Sequence, residues 1–193
     1  MIIILIGKSG SGKDTVRKLL QKRGVDSLVP VTTRPARLGE VDGEDYYFVG
    51  KIWFRFAVDS GLLVEHREYR TSVNGVSDVW YYGLTKSELS KVKKNKNYSI
   101  VLTPDSADKV VEYLGKENCI IAYIYLDDKV RTNRAATRPG FDQQEWDRRL
   151  VADSLDFQNV DTRSSARFIQ IDNSGTLEHL EQDVDSLLDE IKE

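Results

Sequence analysis

Apolar residues at the start of the chain predict a buried strand followed by a helix. The run Ile2 to Ile6 is continuous and ends in glycine, which is typical of a strand covered on both faces of a parallel sheet. Helical spacing follows at Val16, Leu19 and Leu20, and polar residues fill the positions between them. Gly24 is a plausible end for this helix.

The same alternation returns after residue 97. Apolar runs at 100–102 and 119–126 lie on either side of a segment with helical spacing at 107–114. A basic helical stretch is then interrupted at 138–140 and resumes over about 142–157. Strands that alternate with helices predict a doubly wound α/β core with a parallel sheet flanked by helices.

Residues 30–85 follow a different pattern, which predicts an inserted lobe with an antiparallel or mixed sheet. Its short strands are expected at 46–49, 62–64 and 80–82, with a short helix at 53–58. The polar stretch 71–78 contains Asn74-Gly75, and we expect a hairpin tip or a flexible loop there.

Charge is distributed unevenly along the chain. The net charge of -3 and a pI of about 5.6 exclude a dedicated nucleic-acid binder, whose domains are usually basic. However, residues 172–193 hold eight acidic residues against one lysine, which predicts an acidic amphipathic helix at the end of the chain. The remaining body is therefore mildly basic and suits a phosphate-bearing ligand.

Cysteine usage and the first residues indicate a cellular compartment. The single cysteine, Cys119, excludes an intramolecular disulfide and a cysteine-rich zinc site, and it suits a reducing environment. The apolar start is too short for a signal peptide or a membrane span. We therefore expect a cytoplasmic protein without a membrane partner.

A glycine-rich loop follows the first strand and precedes the first helix. In that context glycines let the backbone wrap an anion, and the helix N-terminus adds partial positive charge. The loop and the start of the helix predict a phosphate-binding segment in which Lys13 reaches the terminal phosphates of its ligand. Its residues are Gly7, Ser9, Gly10, Ser11, Gly12, Lys13, Asp14 and Thr15.

The position after the lysine departs from the usual motif, which ends in serine or threonine. Here Asp14 comes first and Thr15 second. A carboxylate is a hard oxygen ligand, so Asp14 is a candidate Mg²⁺ ligand, directly or through water, and Thr15 could substitute. Equally, Asp14 could be a first-turn acid that stabilises the helix dipole.

A second basic segment, residues 32–46, combines two arginines with hydroxyls and a tyrosine. Arg34 and Arg37 are three residues apart and could bind a phosphate monoester through bidentate hydrogen bonds. Composition by itself leaves a solvated loop as an equal alternative.

The order T-T-R-x-x-R-x-G-E-x-D-G-x-D-Y after a glycine-rich phosphate loop resembles the guanylate kinase family. The likeness continues through residues 61–65, the segment 81–83 and the paired basic residues before Leu150. It implies transfer of a phosphoryl group from ATP, with Mg²⁺, to GMP or dGMP, which gives the nucleoside diphosphate. It also implies a P-loop core at about 1–30, 86–130 and 150–193, an NMP-binding lobe at about 31–85 and a lid at about 131–149.

The resemblance assigns roles to individual residues. It implies that the acceptor phosphate binds Arg34, Arg37, Tyr46 and Tyr82, while Glu65 accepts hydrogen bonds from guanine. It further implies that catalytic charge stabilisation comes from Lys13, Arg34, Arg134, Arg138 and Arg149. The partners are then small nucleotides, with no nucleic acid, in a monomer or homodimer.

Three positions depart from the family pattern at the acceptor side. Leu84 stands where the family has a hydroxyl that touches guanine, and Leu102 and Pro104 stand where it has two aspartates. Another nucleoside monophosphate kinase therefore stays open as an alternative. So do the ribose 1,5-bisphosphate phosphokinases, which resemble the chain in G-S-G-K-D, and a non-catalytic guanylate-kinase-like binding module.

Overall fold

A computed structural model describes residues 1–73, 76–137, 140–160 and 165–192. The chain divides into two compact units. The core unit comprises Met1–Asp26 and Asn97–Glu193, and the lobe unit comprises Ser27–Lys96.

The core unit is a five-stranded sheet with helices between its strands. The sheet order is β2-β7-β1-β8-β9, and β1 pairs in parallel with β7 and β8, as β8 does with β9. The strands are β1 (Ile2–Ile6), β2 (Asp26–Ser27), β7 (Tyr98–Val101), β8 (Cys119–Tyr125) and β9 (Arg167–Asp172). The helices are α1 (Lys13–Lys22), α4 (Pro104–Leu114), α5 (Asp128–Ala136), α6 (Gln143–Asp156) and α7 (Leu177–Lys192), with a 3₁₀ turn at Lys116–Asn118.

Central strand β1 is buried along its whole length, which confirms the prediction from its apolar run. Ile3 and Leu5 pack with Leu20 of α1 and with Val184 of α7 in one apolar cluster. The acidic C-terminal segment is thus an amphipathic helix, as predicted, because its apolar stripe faces this cluster and its acids lie outside. The core is the α/β arrangement that the hydrophobic pattern predicted.

The lobe unit is built on a four-stranded mixed sheet in the order β4-β3-β6-β5. Its strands are β3 (Val31–Thr32), β4 (Tyr47–Phe48), β5 (Leu63–Val73) and β6 (Val76–Thr85). Its helices are α2 (Lys51–Asp59) and the single turn α3 (Lys86–Leu89). Strands β5 and β6 are antiparallel, whereas β3 pairs in parallel with β4.

The expectation of several short strands is wrong for β5 and β6, which span 11 and 10 residues. Polar residues occupy much of both strands, so the sequence looked like turns there. In the structure Thr71 pairs with Asp78 and residue 73 with residue 76 within the antiparallel ladder. Most of the stretch is therefore strand near the end of a hairpin, which agrees with the hairpin alternative and not with the flexible loop. The predicted turn residues Asn74 and Gly75 lie outside the described residues.

Within the described ranges, no helix combines the length and the apolar character needed to cross a membrane.

Candidate active site

The glycine loop, residues 7–12, connects β1 to α1 and has two glycines in the left-handed region. Gly10 has φ 79° and Gly12 has φ 98°, conformations that other residues rarely adopt. A Cβ on Gly12 would lie 2.2 Å from Nδ2 of Asn173, which donates a hydrogen bond of 2.7 Å to the carbonyl of Ser11. Glycine at this position therefore permits both the turn and the close approach of a side chain that holds it.

The ammonium group of Lys13 lies over the glycine loop. Its Nζ donates to the carbonyls of Gly7 (2.7 Å) and Lys8 (3.1 Å). Burial lowers the pKa of Lys13; Asp14 opposes this effect, and the charges of Arg149 and Arg131 add to it. Three cationic side chains thus lie within electrostatic range of one another at the loop, which favours an anionic ligand there.

A buried ion pair supports the glycine loop at Ser9. The Arg131 side chain is 1% exposed, and its Nη1 donates to Asp153 (2.7 Å) and to the Ser9 carbonyl (3.1 Å). Asp153 also accepts from the main-chain N–H of Ser9 at 2.9 and 3.1 Å and from its hydroxyl at 3.1 Å. The guanidinium lies 5.7 Å from the centre of the Trp146 ring. Arg131 also pairs with Asp128 at 2.9 Å. Helices α5 and α6 therefore hold the loop through buried Arg131 and its two carboxylate partners.

The three arginines predicted at the ATP phosphates have different surroundings. Arg149 lies on α6 and donates to Glu145 at 2.9 Å. Arg148 binds the same carboxylate at 2.7 Å, and although burial opposes the effect, the two arginines lower the pKa of Glu145 to about 2. Arg134 is half-buried on α5, and no ion pair involves its guanidinium among the described residues. Arg138 lies outside the described residues.

In the lobe unit, Arg34 forms a two-pronged ion pair. Its side chain is 3% exposed, and its two terminal nitrogens donate to the two Glu40 oxygens at 2.9 and 2.8 Å. Although burial opposes the shift, this pairing raises the pKa of Arg34 and lowers that of Glu40. The main-chain N–H of Arg37 also donates to Glu40, while the Arg37 side chain is exposed. A phosphate presents paired oxygens to a guanidinium as this carboxylate does.

Aromatic rings connect Arg34 to a second guanidinium through an arginine–tyrosine cluster, which consists of Arg34, Tyr46, Arg67, Tyr69 and Tyr82. Arg34 lies 5.4 Å from the Tyr46 ring centre, and the Tyr46 and Tyr82 rings are 6.0 Å apart. Arg67 lies 5.3 Å from the Tyr82 ring centre and 5.9 Å from that of Tyr69. Tyr46 and Tyr82, which were both predicted to bind the acceptor phosphate, are 36 positions apart in the sequence and lie on one surface. Arg67 and Tyr69 lie beside them.

Comparison with known proteins identifies the family. The family model described as guanylate kinase matches residues 1–145, well over half of the 193 residues. The chain belongs to the guanylate kinase family. Arg149 and Asp153 lie beyond the matched range.

Individual relatives agree with this guanylate kinase assignment. Guanylate kinase 2, chloroplastic/mitochondrial, of Oryza sativa subsp. japonica is 30% identical over 193 residues, which cover 98% of this chain and 64% of the relative. The guanylate kinase of Anaplasma phagocytophilum is 34% identical over 128 residues, 64% of this chain and 57% of that protein. That of Lactiplantibacillus plantarum is 46% identical over 72 residues, 36% of this chain and 35% of the relative. Each alignment thus spans less than two thirds of the relative's length.

Solved structures show the same fold. The crystal structure of guanylate kinase from Anaplasma phagocytophilum has a TM-score of 0.66 at 24% identity and covers 100% of this chain and 84% of that chain. An unliganded sugar kinase from Janibacter sp. HTCC2649 has a TM-score of 0.50 at 15% identity, with 97% and 94% covered. At these identities the likeness concerns the fold alone.

The three departures from the guanylate kinase pattern are apolar and buried in this structure. Leu84 is 0% exposed opposite Glu65 in the β5–β6 ladder. Leu102 is 3% exposed, and Pro104 begins α4. Thr85, next to Leu84, caps α3, because its hydroxyl accepts from the Glu88 N–H at 3.0 Å.

The residues predicted to hold Mg²⁺ can contribute one carboxylate. Asp14 and Thr15 are exposed on the first turn of α1. No group of three or more potential metal ligands from His, Cys, Asp and Glu occurs among the residues that the structure describes. Mg²⁺ bound with a nucleotide takes most of its ligands from phosphates and water, so a single exposed carboxylate beside the loop fits it.

The single cysteine, Cys119, is not suited to act as a nucleophile. Cys119 is buried in β8, and burial raises its pKa to about 11. A thiol of this kind is almost entirely protonated at neutral pH and is a poor nucleophile.

Sequence reasoning missed Arg131, Asp153 and Arg67. Arg131 and Asp153 are 22 positions apart on two helices, and each looks like an ordinary surface charge in the sequence. For Arg67 a signal existed, since it is two residues from Glu65 and alternation places both on one face of a strand. That signal was lost because β5 was expected to end at residue 64.

Proposed function

We propose that the protein transfers the γ-phosphoryl group of ATP to the phosphate of GMP or dGMP, giving ADP and the nucleoside diphosphate. The observation behind this proposal is the presence of two cationic sites. The core unit has the glycine loop with Lys13, and the lobe unit has the buried guanidinium of Arg34. Two phosphate ligands are what a monophosphate kinase must bind. Membership of the guanylate kinase family supports this assignment.

ATP is assigned to the glycine loop. The main-chain donors of residues 10–14 would hold its phosphates at the N-terminus of α1. Lys13 would exchange its two carbonyl partners for phosphate oxygens, which carry full negative charge. Arg149, which lies within electrostatic range of Lys13, would neutralise charge that develops on the transferring group, together with Arg134 and Arg138.

GMP is assigned to the lobe unit. Arg34 would bind the acceptor phosphate by the two-pronged geometry that it makes with Glu40, with Arg37 and the hydroxyls of Tyr46 and Tyr82 as further donors. Glu65 would accept from the N1 and N2 donors of guanine. Its side chain is fully buried, so these hydrogen bonds would form in a site protected from water.

Transfer itself needs positioning and charge stabilisation. An oxygen of the acceptor phosphate forms the new bond to the γ-phosphorus, the bond from that phosphorus to the bridging oxygen breaks, and ADP leaves with the electron pair. No general base is required, because the attacking phosphate oxygen is already anionic. The chain's residues therefore bind and orient two anions and offset their repulsion.

Magnesium is assigned with ATP. The bound ion would supply charge neutralisation for the phosphates of ATP. Asp14 would hold it directly or through water, with Thr15 as the neighbouring hydroxyl. We also assign residues 131–149 as the lid and the cytoplasm as the compartment, where the reduced state of Cys119 would persist.

An assay of ADP release over several acceptors tests the proposal. It compares GMP, dGMP, AMP, CMP, UMP, dTMP and ribose 1,5-bisphosphate with ATP and Mg²⁺. We expect GMP or dGMP to have the largest kcat/KM. Preference for another acceptor would overturn the GMP assignment and keep the kinase, whereas absence of turnover would overturn the kinase assignment.

Thermal unfolding separates an enzyme from a non-catalytic binding module. A ligand that binds the folded state at 100 times its Kd adds about 2.7 kcal/mol to stability. Saturating ADP with Mg²⁺ should therefore raise Tm by several degrees. An unchanged Tm would favour the module.

A further inference from the structure

Glu65 and Arg67 lie side by side on one face of the β5–β6 hairpin. Side chains alternate between faces along a strand, so residues two apart point the same way. The ladder places Glu65 opposite Leu84 and Arg67 opposite Tyr82. A carboxylate and a guanidinium therefore share the surface that continues through the arginine–tyrosine cluster to Arg34.

The contact between the two charges is loose. Nη1 of Arg67 lies 3.5 and 3.4 Å from the two Glu65 oxygens, longer than the roughly 2.7–2.9 Å of a strong charge-assisted hydrogen bond. The Arg67 side chain is 22% exposed and that of Glu65 is 0% exposed, so an arriving ligand meets Arg67 first. The rings of Tyr69 and Tyr82 pack against the guanidinium and restrict its direction.

Guanine is complementary to such a pair. Its edge carries the N1 and N2 donors next to the O6 acceptor, whereas adenine has an amino donor in place of O6. A carboxylate only accepts and a guanidinium only donates. Glu65 and Arg67 thus match guanine and oppose adenine, because Arg67 has no acceptor for the adenine amino group.

The position opposite Glu65 has no hydrogen-bonding side chain, because Leu84 is apolar. The hydroxyl of the next residue, Thr85, accepts the N-cap hydrogen bond of α3. We propose that Arg67 is a specificity-determining residue that donates to O6 of guanine while Glu65 accepts from N1 and N2. This inference rests on the proposed function.

The test compares GMP, IMP and AMP as acceptors. IMP keeps O6 and N1–H but lacks the N2 amine, so it separates the two contacts. Arg67→Ala should lower kcat/KM for GMP and IMP alike, by about 10- to 100-fold for one charge-assisted hydrogen bond, and should not lower kcat/KM for AMP. Glu65→Gln should lower kcat/KM for GMP more than for IMP, because the one amide oxygen can still accept from the single N1 donor of IMP. Arg70→Ala, an exposed arginine on the opposite face of β5, is the matched control and should leave all three values unchanged.

Specific outcomes overturn the inference. A loss in Arg67→Ala that spares IMP would mean that Arg67 acts at the N2 side of the base and not at O6, which IMP keeps. An unchanged ratio of GMP to AMP would remove Arg67 from base recognition. If the unaltered protein prefers an acceptor other than a guanine nucleotide, the proposed function fails instead, and this result is visible before any variant is made.

Folding is checked independently of the acceptor. The ADP-induced rise in Tm should be the same in Arg67→Ala as in the unaltered chain. If that variant does not fold, Arg67→Gln replaces it. Its amide offers both a donor and an acceptor, so the AMP to GMP ratio of kcat/KM should rise; an unchanged ratio would reject the inference.

Discussion

The phosphate sites proposed for the core unit and the lobe unit are built in different ways. In the core, the glycine loop would offer main-chain donors from consecutive residues, and Lys13 lies six residues from the carbonyl of Gly7 that it contacts. In the lobe, side chains from β5, β6 and the segment between β3 and β4 form the cluster, so strand register decides which of them meet. The main-chain site is therefore a property of a short segment, whereas the side-chain site is a property of a sheet.

Both regions hold their arginines with carboxylates. Glu40 binds Arg34 in the lobe, while Asp153 and Glu145 bind Arg131 and Arg149 in the core. The role of the carboxylate differs. Asp153 also holds the main chain of the loop, whereas the described contacts of Glu40 lie within its own segment. Variants of single residues should therefore separate structural support from ligand contact.

The largest expected effect is the loss of the support beneath the glycine loop. Asp153→Ala removes the acceptor of the Ser9 N–H and leaves Arg131 with only the exposed carboxylate of Asp128, which should lower the free energy of unfolding by about 3 kcal/mol and Tm by roughly 10 °C. Denaturant unfolding measures the first value. Asp147→Ala, an exposed acid on the same helix, should cost less than about 0.5 kcal/mol. Equal stability of the two variants would contradict the supporting role.

Removing the loop's own cation should affect chemistry and leave the fold intact. Lys13→Ala should lower kcat by about 100- to 1,000-fold, the usual cost of one preorganised donor to developing charge. Tm should stay close to that of the unaltered chain, because the variant also removes an ammonium group that is costly to keep away from water. Steady-state kinetics with Lys18→Ala, an exposed lysine on α1, as control measures this. Kinetics close to those of the parent would exclude the assigned role.

A change in the lobe should affect the acceptor only. Arg34→Lys keeps the charge and removes the two-pronged geometry, so KM for GMP should rise by about 10- to 100-fold. KM for ATP should stay within about twofold. A parallel loss for both substrates would mean that the two sites are not separable in this way.

The smallest expected effect is the loss of the stabilisation by Glu145 at acid pH. The pKa of Glu145 is lowered from 4.5 to about 2, so its ion pairs stabilise the fold above pH 4.5 and lose their effect as pH falls toward 2. Glu145→Gln should be less stable by about 1–2 kcal/mol at pH 7, after screening of partly exposed charges. The difference should shrink below pH 4.5. A constant difference from pH 7 to pH 3 would reject this linkage, and denaturant unfolding at each pH measures it.

The sequence allowed much of the fold to be predicted, for identifiable reasons. Strand β1 is a continuous apolar run, and helices α1, α4 and α7 have apolar residues at helical spacing; burial in the core follows both patterns. The lobe's long hairpin was underestimated because charged residues occupy most of positions 65–70 in β5, so apolar and polar residues do not alternate there. Such strands are stabilised by cross-strand pairs between residues distant in sequence, and local pattern does not reveal those pairs.

By itself, the sequence determined the α/β core, the glycine loop and the identity of the family. Each depends on residues that are neighbours in the chain or on an ordered motif. Only the tertiary structure decided that Asp153 and Arg131 support Ser9. It also decided that Glu40 pairs with both terminal nitrogens of Arg34, and that Arg67 lies beside Glu65. The physical reason is that ion pairs and hydrogen bonds act over about 3 Å, and folding alone brings residues from separate helices and strands within that distance.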